Sequence, residues 1–389
     1  MRVPDILSRQ TQNRMKKTFG IEKGMVEMKL RYGLIGAGRV APNHVKAFWE
    51  NKEELEFAAY CDIDPAAGER LRQGNPQALD GVPFYTDYRE MIEKEKLDIV
   101  SIATFSGTHA AIAFDCLEKN INLIIEKPIA MSLEDADRIV ALSEEKGLVV
   151  SANHQNRFNK PIQKVREALE AGRFGKLLHG TTHILWARDK NYYDSATWRG
   201  TWEQDGGALM NQCIHAIDLL RWMMGDEVEE VMAYTANLMH PYIEAEDLGM
   251  ALVKFKNGSY GMIEGTVNVY NKNLEETLYI MGETGMAKVG GTSVNTLDAW
   301  RFSDGQDSLE ALQADCNEHP DSVYGFGHTA VLRDVIRAVR EGGKAYIDAR
   351  AGRRALEMVL AIYLSAKTGK PVKLPLERCS SLDFKGLFD

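Results

Sequence analysis

"LRYGLIGAGRVA", residues 30–41, decides the fold of this chain. Apolar residues run up to Ile35 and stop at Gly36-Ala37-Gly38-Arg39-Val40-Ala41, a G-x-G-x-x-A turn between a strand and the opening of a helix. Gly36 permits the tight turn, Gly38 lets the backbone approach a pyrophosphate, and Ala41 is small enough for the helix to pack on a sheet. The free N–H groups of the helix start, just past Arg39 and Val40, then face the phosphates of a dinucleotide. Pro42 fits, because the first helical turn can spare an N–H. A second strand, "LEFAAYCD", ends in Asp62, 24 residues beyond Gly38, where a carboxylate would hold the ribose hydroxyls of NAD. With no basic residue in "CDIDPAAG", that acid favours NAD over NADP. Arg39 weakens the preference, since a guanidinium there can reach a 2′-phosphate.

Working outward, "LDIVSIA", "INLIIE" and "GLVVSAN" read as further strands with helices between them. The best-marked helix is 132–146: Ser132 and Asp135 form its cap, Leu133, Ala136, Ile139 and Val140 share a face, and Gly147 lies past its end. Strand–helix alternation over 30–152 predicts βαβ units and a parallel sheet. After about residue 152 the pattern changes. Helices are expected at 160–172 and 211–224, followed by long strands and a hairpin at Asn257-Gly258, where both residues tolerate positive φ. "GETG", 282–285, marks a second turn, and a long helix covers roughly 347–367. The expected fold is α/β: an N-terminal Rossmann parallel sheet plus a C-terminal α+β domain with a large, mainly antiparallel sheet. The expected boundaries are 1–28 for an N-terminal extension, 29–152 for the dinucleotide domain and 153–376 for substrate binding and oligomerisation, its last long helix returning to the Rossmann domain. Residues 377–389 remain as a tail.

The 389 residues suit two cores better than one. A net charge of −9 argues against nucleic acid or an anionic membrane as partner, and no run of eighteen apolar residues exists to span a bilayer. The first 28 residues contain basic side chains but no apolar stretch, so they do not read as a secretory signal. Five scattered cysteines without a CxxC suggest reduced thiols in the cytoplasm and no structural metal site.

Two motifs carry chemistry. In "INLIIEKPIA", 121–130, a buried strand ends abruptly in Glu126, Lys127 and Pro128. Ligands of an open parallel sheet sit at the carboxyl ends of its strands, so these charges emerge where a nicotinamide would lie. A lysine there can polarise a substrate oxygen, and Pro128 can hold a cis bond. In "DGGALMNQCIHAID", 205–218, Asn211 and His215 stand four apart on one helical face, with Asp218 three further on. A histidine near its pKa can take the proton of an alcohol. Just before it, "WARDKNYYDSATWRGTW" supplies Arg188, Tyr192, Trp198 and Arg199, flat faces for a sugar ring and guanidinium groups for an anion.

Taken together, "GLIGAGRVA", Asp62, "IATFSGTH", "EKP", "NQCIHAID" and "GHTAVLRDVIRAV" resemble the glucose–fructose oxidoreductase / inositol dehydrogenase / MocA family over residues 29–376. The resemblance implies that Lys127 is the catalytic lysine, in a bond cis to Pro128, and that His215 is the general base. It implies that Glu126, Thr104, Phe105, His109 and Gln155 line the cofactor beside Gly36, Gly38, Arg39, Val40 and Asp62, with Asn156 at the substrate. The family pattern Asp-x-Gly-x-His is replaced here by Asn211-Gln212-Cys213-Ile214-His215, and the usual proline after Thr104 by Phe105. The asparagine and "YYDSATWRGTW" resemble the branch that oxidises C3 of UDP-N-acetylglucosaminuronate and related glycosides. The implied activity is NAD-dependent oxidation of a secondary hydroxyl of a sugar, sugar acid, glycoside or nucleotide sugar, in a homodimer or homotetramer. Alternatives are a cyclitol dehydrogenase, a glycoside-cleaving enzyme that recycles NAD, and a non-catalytic NAD-binding regulator. Retention of both Lys127 and His215 argues against the regulator.

Overall fold

The structure, a computed structural model, describes residues 28–320 and 322–389; the N-terminal extension up to residue 27 lies outside them. The first sheet comprises β1 (Leu30–Ile35), β2 (Leu55–Cys61), β3 (Phe84–Tyr85), β4 (Ile99–Ile102), β5 (Asn122–Ile125) and β6 (Val150–Ala152). All pairs are parallel, in the order β3-β2-β1-β4-β5-β6. From β1 the chain builds to one side as far as β3, then returns to β4 on the other. The crevice beyond β1 and β4 is therefore the switch point where such sheets bind ligands. β5 delivers Glu126 to that edge: Leu123, Ile124 and Ile125 are buried, and the Glu126 N–H still pairs with Ile102 O at 3.0 Å.

The second sheet holds β7 (Leu177–Leu185), β8 (Val228–Ala236), β9 (Leu248–Phe255), β10 (Tyr260–Thr266), β11 (Glu275–Gly282), β12 (Gly285–Gly290), β13 (Thr296–Phe302) and β14 (Val372–Lys373). Their order is β13-β12-β11-β7-β10-β9-β8-β14. It is antiparallel except for β7 and β10. That parallel pair needs a long crossover. The crossover carries the short helix Gly207–Asn211, the helix Ile214–Met224, and then β8 and β9.

Local signals act as their chemistry dictates, with three differences. Ser132 accepts from the Asp135 N–H at 3.1 Å and Gly147 ends that helix at φ 65°. At the β9–β10 hairpin only Gly258 takes positive φ (86°); Asn257 instead donates to Met224 O at 2.7 Å and accepts from the Ser259 N–H. The segment expected as one helix over 211–224 is two. The N–H groups of Gln212 and Cys213 both converge on Ala208 O, at 2.9 and 3.0 Å, and this widened, π-type turn ends the first helix at Asn211. Residues 377–389, expected as a tail, pack inward: Phe384 is buried and Phe388 stacks on Trp202 with 6.3 Å between ring centroids.

The helix Ala349–Thr368 joins the two sheets. Its apolar face belongs to a core that runs without a break from β4 and β5 to β8 and β9. Arg353 reaches Asp137 at 2.8 Å and Arg350 reaches Glu144 at 2.5 Å, both on the helix Leu133–Lys146. At Gly352 an added Cβ would lie 2.5 Å from Ala152 Cβ and 3.2 Å from Ile129 Cβ. An exposed helical Gly→Ala change gains about 1 kcal/mol. Overpacking a rigid contact costs about 1–3 kcal/mol, so the clash wins. Gly352→Ala is expected to lower stability by about 1 kcal/mol in urea unfolding; a gain would show that the helix is free to move away from β6.

Candidate active site

The turn after β1 is shaped for a dinucleotide. Gly36 takes φ +102°, and a Cβ there would meet Ala103 O at 2.5 Å. Over Gly38 nothing lies within 4 Å of the place a Cβ would occupy, so the backbone is open to a ligand. The helix Ala41–Glu50 starts after Val40 with no side-chain cap and with proline in its first turn, leaving N–H groups for phosphate oxygens. Asp62 accepts from the Ala37 N–H at 2.7 Å and the Asp64 N–H at 2.8 Å, which pins the turn to the end of β2. Arg39 is exposed, and its guanidinium lies 5.8 Å from the Tyr192 ring centroid.

The next loop closes the cofactor side. Thr104 and Thr108 share a hydroxyl hydrogen bond of 2.7 Å, and Phe105 stacks on Trp198 at 6.1 Å. His109 is buried beneath the loop, its ring nitrogens 2.8 Å from Pro128 O and 3.2 Å from Thr104 O. It thus ties this loop to the segment carrying Lys127. Burial lowers its pKa, more strongly than those carbonyls raise it.

Glu126 is buried and three side chains converge on one of its oxygens. Asn153 Nδ2 donates to Oε1 at 2.5 Å, His44 Nε2 stands 3.0 Å away, and His328 Nε2 approaches to 3.4 Å. Despite burial, the two imidazoles hold Glu126 well below the usual carboxylate range. His44, Glu126 and His328 are close enough together to hold a metal ion among the described residues. The Asn153 N–H points at the same oxygen, however, and a donor there opposes a cation. The group reads as a hydrogen-bond clamp on the residue before Lys127.

The peptide between Lys127 and Pro128 is cis. Lys127 Nζ donates to Asn211 O at 2.8 Å and to Asn211 Oδ1 at 3.0 Å. The break after Asn211 thus places that carbonyl where the lysine uses it. Burial lowers the Lys127 pKa; Glu126 and Asp205 oppose this, and Arg199 and Arg188 reinforce it. His215 is 9% exposed and is held far below the usual imidazole range by burial, by Lys127 and by His154. It is therefore neutral at physiological pH and able to accept a proton. His154 meets it edge-on at 5.5 Å and is itself pushed down to about 4 by burial.

Asp218 plays another part. It is fully buried and makes a two-pronged pair with Arg157, at 2.7 and 2.6 Å, so it braces the helix and does not touch His215. Gln155 and Asn156 are buried in the same 3₁₀ turn, and Asn156 Nδ2 approaches Glu276 Oε1 at 3.4 Å. Beside them Tyr192 gathers three arginines. The guanidinium groups of Arg39, Arg188 and Arg199 lie 5.8, 5.0 and 4.3 Å from its ring, and Arg199 also covers Trp198 at 4.3 Å. Arg188 and Arg199 hydrogen-bond to neutral acceptors: Ala187 O, Asn273 Oδ1, Ser195 Oγ and Tyr192 Oη.

Sequence reasoning missed Asp205, His154, His44, His328 and Glu276. Asp205 opens a motif already singled out and His154 precedes Gln155, and an acid or imidazole beside those candidates was the available signal. The two histidines clamping Glu126 come from helices 284 positions apart in the chain, by the difference of their numbers, with no local pattern to join them.

An open glycine turn, a clamped lysine and a neutral histidine at one switch point make the class of this protein an NAD-binding oxidoreductase acting on CH–OH groups. The chain belongs to the Gfo/Idh/MocA oxidoreductase family: its NAD-binding Rossmann model matches residues 30–154 and its C-terminal alpha/beta domain model residues 166–374. Among solved structures, the WlbA dehydrogenase from Bordetella pertussis in complex with NADH and UDP-GlcNAcA is 36% identical. It superposes with a TM-score of 0.83 over 91% of this chain and 100% of that one. Myo-inositol 2-dehydrogenase of Thermotoga maritima is 26% identical over 89% of this chain and 98% of its own length. D-apiose dehydrogenase of Paraburkholderia graminis is 26% identical over 89% and 90% respectively.

Burial pushes the Glu276 carboxyl up from 4.5 to about 8, against the lowering by Asn156. The folded state then keeps a proton that the unfolded chain releases above 4.5. The stability this group contributes is complete below that pH and is lost as pH rises toward 8. Glu276→Gln removes the loss and keeps an acceptor for Asn156. Its melting temperature should match wild type near pH 5 and exceed it at pH 8, by an equivalent of at least about 1 kcal/mol. Equal curves at both pH values would show that Glu276 is ionised in the fold.

Proposed function

We propose that this chain is an NAD-dependent dehydrogenase that oxidises a secondary hydroxyl, at C3, of a sugar bearing a negative charge, such as a nucleotide-linked uronate. The observation that carries the reading is the set of guanidinium groups of Arg39, Arg188 and Arg199 around Tyr192, beside Lys127. No carboxylate pairs with them among the described residues. Unpaired arginines on a substrate rim suit a carboxylate or diphosphate, and Trp198 and Tyr192 suit a pyranose face. The likeness to the WlbA dehydrogenase, whose structure holds UDP-GlcNAcA, supports the same class of substrate.

In this reading His215 takes the hydroxyl proton at its ring nitrogen, and Lys127, held by Asn211, donates to the oxygen as it becomes a carbonyl. Bound NAD supplies the acceptor for the hydride that leaves the carbon. Gly36, Gly38, Val40 and Asp62 hold the dinucleotide, with Thr104, Phe105 and Gln155 along its nicotinamide half and Asn156 on the sugar. Residues 29–152 form the cofactor part and 153–376 the substrate part.

The open face of the second sheet supports self-association. Tyr234, Met250, Leu252, Tyr260 and Met262 are exposed on β8, β9 and β10. Tyr234 faces Met250, and Leu252 faces Met262, across the register. Such a contiguous apolar surface suits a second copy of the chain in a homodimer or homotetramer. Five buried, free cysteines fit a cytoplasmic setting, and no helix among the described residues is long and apolar enough to cross a membrane.

Absorbance of reduced nicotinamide tests the function, with UDP-N-acetylglucosaminuronate, glucuronate, neutral glycosides and inositols offered in turn. Turnover with the anionic sugars is expected, and Lys127→Ala and His215→Ala should each lower kcat by about 10²–10⁴-fold. Turnover with inositols alone would replace the substrate class. Retention of NAD without net reduction, with glycosides cleaved, would point to recycled-cofactor chemistry. A second expectation follows from the arginines: Arg199→Leu should raise KM for the uronate about 10–100-fold with a smaller change in kcat. An unchanged KM would remove the charge argument.

A further inference from the structure

Asp205 is fully buried and lies six residues before Asn211. Its Oδ2 accepts from the Gly200 N–H at 2.7 Å, and its Oδ1 accepts from Asn211 Nδ2. Burial raises the Asp205 pKa, and both partners oppose it as N–H donors, the pattern that satisfies an ionised carboxylate, which can only accept. The far end of the same amide faces the other way: Asn211 Oδ1 receives Lys127 Nζ at 3.0 Å. A side-chain amide has one donor end and one acceptor end. Asp205 takes the donor end and so fixes the acceptor end on the lysine.

The other carboxylate near Lys127 is committed elsewhere. Glu126 Oε1 is taken by Asn153, His44 and His328, and Oε2 receives the backbone N–H of Lys127 at 3.3 Å, not its ammonium group. We propose that Asp205 is the positioning residue of Lys127, passing its negative charge to the ammonium group through the Asn211 amide. The inference deepens the proposed function, since it rests on Lys127 being the group that meets the substrate oxygen.

The charges facing Lys127 are Glu126, Asp205, Arg199 and Arg188, and His215 also faces it. Asp205 in turn faces Arg199 and Lys127, with Tyr192, Tyr193 and Glu246 nearby. Removing the Asp205 charge leaves two arginines and burial acting on the lysine with only Glu126 against them. The pKa of Lys127 then falls. If the ammonium form is needed, the alkaline limb of the kcat/KM profile moves to lower pH in step.

The test reads the lysine directly and needs no substrate. Competitive acetylation of the full-length protein across a pH series, with Lys127 followed by peptide mass spectrometry, gives its pKa with and without NAD. Asp205→Asn is expected to lower that pKa by about one unit while NAD binding persists. The pair Asp205→Asn with Asn211→Asp, which moves the carboxylate one step along the relay, should restore it, and should restore the alkaline limb wherever wild type turns over. An unchanged Lys127 pKa in a folded, NAD-binding Asp205→Asn protein overturns the proposal. If Asp205→Asn alone does not fold, the charge-swapped protein decides: a folded double variant with a Lys127 pKa still lowered overturns it equally. Failure of every sugar in the turnover panel would sink the proposed function and leave the labelling result standing on its own.

Discussion

A lysine amine at the end of a buried strand must find acceptors, and much of this site is arranged to supply them. Burial disfavours the charged form of Lys127. Two oxygens of one residue, the carbonyl and the side-chain amide of Asn211, answer it from the opposite sheet's crossover. That answer requires the helix to stop at Asn211, and the stop follows from two N–H groups sharing Ala208 O. The same interruption lets Ile214–Met224 begin afresh and present His215 beside the lysine. The ammonium group, the end of one helix and the approach to the next thus meet at Asn211.

Charge is distributed unevenly around this point. The chain carries a net −9, yet the rim of the site concentrates Arg39, Arg188 and Arg199 around one tyrosine. Three guanidinium groups so close repel each other, and stacking on Tyr192 and Trp198 offsets part of that cost. A bound anion would offset more. Arg199 and Arg188 also depress the Lys127 pKa, so an anion bound against them would raise it. Anion binding there and protonation of the lysine would be coupled with a definite sign.

The parts of this architecture legible in sequence were those with local grammar. The glycine turn, Asp62, the capped helix from Ser132 to Gly147 and the charged end of β5 each write their structure within a dozen residues. The helix break at Gln212–Cys213 was not legible, because Asn211 and His215 four apart look like one helical face and nothing nearby forbids continuation. It arises from tertiary packing, with Cys213 Sγ set against Gly265 on β10. The clamp on Glu126 was hidden for the same reason: His44 follows the glycine turn and His328 opens a helix near the other end of the chain. The pairing of Asp218 with Arg157, which commits both carboxylate oxygens to a guanidinium, also depends on a distant segment.

The long helix Ala349–Thr368 extends this dependence to the turn that carries Asp205. Tyr363 Oη accepts from the Met210 N–H at 3.2 Å and lies 2.5 Å from Gly206 O and 2.9 Å from Glu246 Oε1. A phenol has one proton, so it cannot donate to both oxygens. With Gly206 O taking that proton, the contact to Glu246 needs a proton of its own, and burial pushing Glu246 up to about 8 provides it. A neutral acid is also what the surroundings demand, since Asp205 already places one negative charge nearby. Gly207, at φ +91°, has no room for a side chain, because a Cβ would lie against the Glu246 carboxyl. The turn from Asp205 to Asn211 is thus gripped by a protonated acid, a phenol and a bare backbone. That grip holds the donor end of the Asn211 amide toward Asp205 and its acceptor end toward the lysine.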